Sequence, residues 1–141
     1  MNQPPNGILD TNTVLLLPRI SDDSLLPAYP TITSITLAEL SVGPLVATDD
    51  ATRAARLAQV QQAEHDFDPL PFDAAAARAF GRVASSLRSS GRKPAARAYD
   101  ALIAAIAVAT QLPLYTVNPD DFAGIADLTV YPVSHPDAST T

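Results

Sequence analysis

Apolar positions along this chain fall into two rhythms: short β-branched or continuous runs, and longer stretches at helical spacing. Gly7-Ile8-Leu9-Asp10 is an apolar run ending in an acid, and Thr31-Ile32-Thr33-Ser34-Ile35 alternates and is β-branched; both read as strands. After Asp10, Asn12 precedes a helical turn, Val14 to Leu17, which Pro18 stops. After Ile35, Thr36-Leu37-Ala38-Glu39 opens a helix expected to break near Gly43-Pro44. Asp49 or Asp50 can cap a polar helix from about Ala51 to Glu64 or beyond, and Asp73 a second whose apolar face is Ala76, Phe80, Val83 and Leu87, ending before Gly91. Pro94 opens a third, with Tyr99, Leu102, Ile103 and Ile106 as its core stripe through Gln111. Leu114 to Val117 reads as a strand, Asn118-Pro119 as a cap and first helical position, and Leu128 to Tyr131 as a final strand. Strands separated by helices imply a parallel sheet covered on both faces.

Composition narrows the class. The 141 residues are 47% hydrophobic and 17% charged, enough apolar surface for one packed domain over 1–141, with an ordered core of about 8–131 and frayed ends. Cysteine is absent, which removes disulfides, thiolate metal sites and cysteine nucleophiles, and makes a cytoplasmic setting the expectation. His65 and His135 are far apart and neither has a metal-ligand neighbour at helical spacing, so imidazole metal chemistry is not expected. The first residues lack the pattern of a signal peptide, and the longest apolar run, Ala101 to Ala109, falls short of the roughly 18 residues that cross a bilayer. No membrane partner is expected.

Net charge is −6, which argues against coating nucleic acid through overall charge. Six of the nine bases, however, lie between Arg78 and Arg97, so any anion-binding surface is local. Arg78, Arg82 and Arg92 recur at helical spacing with Ser85 and Ser89, either as a solvated face or, with Lys93 and Arg97, as a strip that follows RNA phosphates. Tyr99 and Tyr115 have ring faces on which bases can stack, but both fall in apolar patterns and are assigned to the core.

Three acids fall at the carboxyl ends of the strands or one turn beyond, where open α/β sheets place their ligands, and a fourth lies on the Pro94 helix. Asp10 ends the first strand, Glu39 lies one turn into the helix after the second, Asp121 one turn beyond the Leu114 strand, and Asp100 two turns beyond Pro94. Each has a structural explanation too. Asp10 can cap the following helix, Thr36-x-x-Glu39 matches a capping box, Asp100 can pair with Arg97, and Asp120 and Asp121 suit any first helical turn. Their joint placement favours a carboxylate cluster for a hard divalent cation.

The segments Ile8 to Leu15, Ser34 to Leu40, Tyr99 to Ala105 and Thr116 to Phe122 resemble, in order, the four motifs of PIN-domain ribonucleases, specifically the VapC-like toxins of bacterial toxin-antitoxin modules. Leu70-Pro71-Phe72-Asp73 and its Ala-rich helix resemble the family's middle segment. The resemblance implies a PIN-like α/β fold with a central parallel sheet of about four to five strands flanked by helices. It implies a metal-dependent endoribonuclease using Mg²⁺, with Mn²⁺ as a substitute, a VapB-like antitoxin partner and a homodimer. It maps the family's acidic quartet onto Asp10, Glu39, Asp100 and Asp121, with Thr13, Thr116 and Asn118 in support and Asp120 as a neighbour able to share the role of Asp121.

Carboxylate-held metal suits phosphodiester hydrolysis, and the lack of a usable His base is then no obstacle. Two alternatives compete. One is a PIN-like module without activity that acts by binding. The other is an aspartyl-phosphate phosphatase of haloacid dehalogenase type, which requires a second Asp where this chain has Asn12 and a supporting Lys, of which only Lys93 exists. Leu37, Leu40, Val42, Leu45, Leu57 and Val60 add more apolar surface than one small core needs, so a partner helix is expected to cover part of it.

Overall fold

The structure, a computed structural model, describes residues 5–93 and 97–138. Four strands, β1 (Asn6–Leu9), β2 (Tyr29–Thr31), β3 (Leu114–Thr116) and β4 (Val130–Pro132), form one sheet in the order β2-β1-β3-β4. Every pairing is parallel, and Ile8 stands between Thr31 and Leu114. Parallel strands need crossover connections: helix α1 (Thr11–Leu16) lies between β1 and β2, helices α2 (Ser34–Leu45), α3 (Asp50–Asp66), α4 (Ala74–Ser89) and α5 (Ala98–Thr110) lie between β2 and β3, and a 3-10 turn, Pro119–Phe122, lies between β3 and β4.

Strand alternation sorts the core into layers. Ile8 and Leu114 face a cluster with Ala76, Val83 and Leu87 of α4 and Ile103 and Ile106 of α5. Leu9 and Tyr115 point the other way, onto Val14 and Leu16 of α1 and onto Leu26. A third cluster, Ile32, Leu40, Val60 and Ala63, joins the α2–α3 hairpin to the sheet. A Cβ on Gly7 would lie 2.4 Å from the Tyr115 ring, so glycine is what lets that ring pack across β1. Gly91, at φ +80, ends α4, with the Arg92 amide returning to the Leu87 carbonyl at 2.8 Å.

The chain leaves β1 toward β2 on one side and later returns to β3 on the other. The switch point therefore lies between β1 and β3, and the crevice outside their carboxyl ends is where an α/β sheet receives its ligand.

Several local expectations shift. β2 ends at Thr31, before most of the expected run, because Thr33 caps α2: its hydroxyl accepts from the Thr36 amide at 3.2 Å. Thr36 is thus inside the helix, and the Thr36-x-x-Glu39 capping box does not form. α2 runs through Pro44 to Leu45 instead of breaking at Gly43; the Gly43 carbonyl accepts from Arg56 of α3 at 3.0 Å. The expected helix start at Pro94 and the outermost ends lie outside the described residues. Tyr99 is exposed rather than core: in the first turn of α5, which begins at Ala98, Ala101 is buried while the Tyr99 ring is left uncovered.

Candidate active site

Asp10 leaves β1 at the switch point and caps α1, accepting from the Thr13 amide at 3.2 Å. The capping explanation is thus satisfied, yet it leaves the rest of the site unexplained. The Thr13 hydroxyl also donates to Oδ1, and Thr116, at the end of β3, donates to Oδ2 at 2.8 Å. Each hydroxyl is itself oriented: Thr13 Oγ1 accepts from the Val117 amide at 3.1 Å and Thr116 Oγ1 from the Asn118 amide at 3.0 Å. Asn118 contributes its backbone N–H here. Burial raises the Asp10 carboxyl above its ordinary range, opposed by the Thr13 and Thr116 hydrogen bonds and assisted by the negative charge of Asp121.

Glu39, half-buried on α2, accepts from the Thr11 hydroxyl at 2.7 Å, and Thr11 Oγ1 lies 3.0 Å from Thr36 Oγ1. Burial raises its carboxyl as well, the Thr11 bond opposing and the charge of Asp10 adding to the rise. Asp100, on the first turn of α5, is pushed up to about 6, first by burial and then by Asp121 and Asp10, with Arg97 opposing and Glu39 adding to the rise. Arg97 stands 3.0 Å from Asp121 Oδ1 and 3.7 Å from Asp100 Oδ2, so the local Arg97–Asp100 pair exists but is the looser of the two. Asp121 lies in the short 3-10 turn Pro119–Phe122 with its side chain 22% exposed, whereas Asp120 faces solvent.

Four acids from four different elements therefore feel one another's charge at the switch point. All their donor atoms are oxygens, the set a hard cation such as Mg²⁺ or Mn²⁺ prefers. Among the described residues no three of them converge closely enough to hold one ion as the side chains stand. Donor chemistry and uncompensated negative charge fit a divalent cation; Arg97 is the positive group now placed against two of the acids.

The basic residues divide. Arg92 reaches the Asp121 carbonyl at 3.5 Å, and with Arg97 it borders the acids. Arg78, Arg82 and Lys93 are exposed, but Arg82 lines a cavity with Gln111, Pro113 and Tyr131 at the amino ends of β3 and β4, the opposite edge of the sheet from Asp10. One continuous phosphate strip is thus not what α4 presents. Thr11, which orients Glu39, escaped the sequence reading, since nothing local tells a helix-opening threonine from one that crosses to α2. Val42, Leu45 and Leu57 are exposed, as a partner surface requires, whereas Leu40 and Val60 are used up in the core.

Residues 8–128 match the PIN domain family. The sequence is 40% identical over 124 residues to Ribonuclease VapC5 of Mycobacterium tuberculosis (strain ATCC 25618 / H37Rv), covering 86% of this chain and 89% of that protein. Among solved structures the chain is similar to VapBC-5 from Mycobacterium tuberculosis, a member of the VapBC family of toxin-antitoxin systems. The TM-score is 0.78 at 36% identity, covering 92% of this chain and all of that one (100%). It is also similar to a DNA-bound VapBC from Salmonella typhimurium, with a TM-score of 0.72 at 25% identity, covering 92% and 98% of the two chains.

Proposed function

The chain belongs to the PIN-domain family, and from that premise we propose that it is a divalent-metal-dependent endoribonuclease of VapC type, the toxin of a toxin-antitoxin pair. The observation that carries this reading is the coupling of Asp10, Glu39, Asp100 and Asp121 at the switch point, with Asp10 clamped by two oriented hydroxyls. The family membership also sets aside the haloacid dehalogenase alternative.

Asp10 is the fixed ligand: 3% exposed and bonded through both oxygens, it cannot swing away. Asp100 and Asp121 are the adjustable ones, partly exposed and held only by Arg97 among the bonds described. Glu39 is aimed by Thr11 and completes the set directly or through water. One or two Mg²⁺ ions held by these acids would supply an activated water, offset charge on the phosphoryl oxygens and stabilise the leaving oxygen. With a cation on the acids, Arg97 and Arg92 beside it would be available to hold a substrate phosphate.

The partner is a VapB-like antitoxin segment laid as a helix on the exposed face that includes Val42, Leu45 and Leu57; the similar structures bearing the VapBC name are toxin-antitoxin assemblies. A homodimer is part of the same proposal. RNA-end mapping after induced expression tests the whole reading. New ends that appear with the wild type and disappear with Asp10→Asn support the nuclease. No new ends, with toxicity still dependent on the protein, would leave the inactive binding module in its place.

A further inference from the structure

We propose that Tyr99 is the platform on which one nucleobase of the RNA stacks, so that it helps select the bond cleaved; this rests on the nuclease reading. In α5, Ala101 and every residue from Ile103 to Ala107 are buried, yet Tyr99 is 58% exposed. It immediately precedes Asp100. Successive residues on a helix diverge by about 100°, so the acid turns toward the other carboxylates while the ring lies toward the rim. There Tyr99 shares a depression with Ala38, Glu39 and Val42. A candidate ligand and an aromatic face thus line one recess, next to where a phosphate would sit.

Base-aromatic stacking suits single-stranded RNA, whose bases are free to splay from the backbone, and every base offers a ring face. The aliphatic surfaces of Ala38 and Val42 supply further apolar walls. The competing occupant is protein, since Val42, 51% exposed, also borders the apolar face of α2. A protein surface covering this recess would bury the Glu39 carboxylate against it, at a desolvation cost. RNA arriving with its divalent cations brings the compensating charge, and a neutral base can lie beside an acid that would repel a phosphate.

The chain contains no tryptophan, so Tyr99→Trp installs a unique fluorophore at the platform. In an Asp10→Asn background, which blocks cleavage, titration with a short single-stranded oligoribonucleotide in Mg²⁺ should quench that fluorescence saturably, and a duplex of the same sequence should do so far less. In the otherwise wild-type protein, Tyr99→Ala should lower kcat/KM about ten- to a hundredfold, the range a stacked base contributes. It should alter the bases flanking the mapped cleavage sites and leave the Mg²⁺-induced rise in Tm unchanged, while Tyr99→Phe should restore activity. Wild-type cleavage by Tyr99→Ala at unchanged sites, with Asp10→Asn inactive, would overturn this inference and leave the nuclease intact, as would absence of quenching. Weakened antitoxin binding or self-association with unchanged cleavage would assign the ring to a protein contact instead. No cleavage by the wild-type protein in Mg²⁺ or Mn²⁺ would remove both readings together.

Discussion

Thr116 donates its hydroxyl to Asp10 Oδ2 at 2.8 Å, joining positions 106 residues apart in sequence, the end of β3 and the end of β1. The bond exists because β1 and β3 are neighbours at the switch point, and it locks the most buried acid of the site. Replacing Thr116 by Val keeps the shape and strands one carboxylate oxygen. Urea denaturation should show a loss of about 1–3 kcal/mol, the cost of an unsatisfied buried acceptor. Thr116→Ser should recover most of it. Equal stability of the Val and Ser variants would mean that the hydroxyl does not hold Asp10.

Asp100 carries the test of the shared carboxylate field. Asp100→Asn removes a charge that repels Asp121 and Asp10, and Arg97 keeps its closer partner, Asp121. The metal-free protein should therefore melt higher than wild type, by a few degrees for about 1 kcal/mol. RNA cleavage should fall by orders of magnitude, and the Mg²⁺ increment in Tm should shrink. Saturation at a hundred times the dissociation constant should stabilise the wild type by about 2.7 kcal/mol. A variant that melts lower with its Mg²⁺ response intact would make Asp100 a structural partner of Arg97 and nothing more.

The pH dependence has a definite sign. Asp100 titrates near 6 in the fold against 3.8 for the ordinary side chain, so between those values the native state holds more of this proton than the unfolded chain. This contribution to stability is fully present below about pH 4 and is lost as pH rises through 6; Asp10 and Glu39, also raised, act in the same direction. Chelator-treated protein should lose part of its stability over that window, less so in Asp100→Asn. Mg²⁺ affinity should run the other way, strengthening up to and just beyond pH 6, because ligation needs the deprotonated acids. Calorimetric titrations at several pH values check both trends.

Leu45 is 84% exposed, so its side chain is open to a partner and adds little to the core. Leu45→Lys should change stability by no more than about 0.5 kcal/mol and weaken the complex with the antitoxin, with free-toxin cleavage unaltered. Co-purification and isothermal titration with a VapB-like antitoxin read this directly. Unchanged affinity would move the partner helix off this face.

The order of elements, the strand-end acids and the threonine that follows Asp10 are legible along the chain because each depends on neighbours a few residues away. Strand and helix periodicity, an apolar run ending at Asp10 and a Thr three residues later are local facts, and four such segments in order carry the family resemblance. Other features depend on packing between distant segments. The local pattern makes Thr36 the opening of α2 and puts Thr33 in a strand, yet with Thr33 bridged to Leu70 beyond the end of β2 it is Thr33 that caps the helix. Arg97 has one acid three residues away in sequence and prefers another delivered by the turn after β3. Arg78, Arg82 and Arg92 share a helical spacing, yet α4 carries Arg82 toward the amino ends of β3 and β4, while Arg92 falls past the end of the helix, after Gly91, and reaches Asp121. Tyr99 fits the apolar stripe of α5 and still faces solvent, because the packing that buries Ala101 leaves the Tyr99 side of the first turn uncovered. Spacing along a helix sets which side chains share a face; where that face ends, and what stands opposite, is set by the energy of closing the layers around β1 and β3.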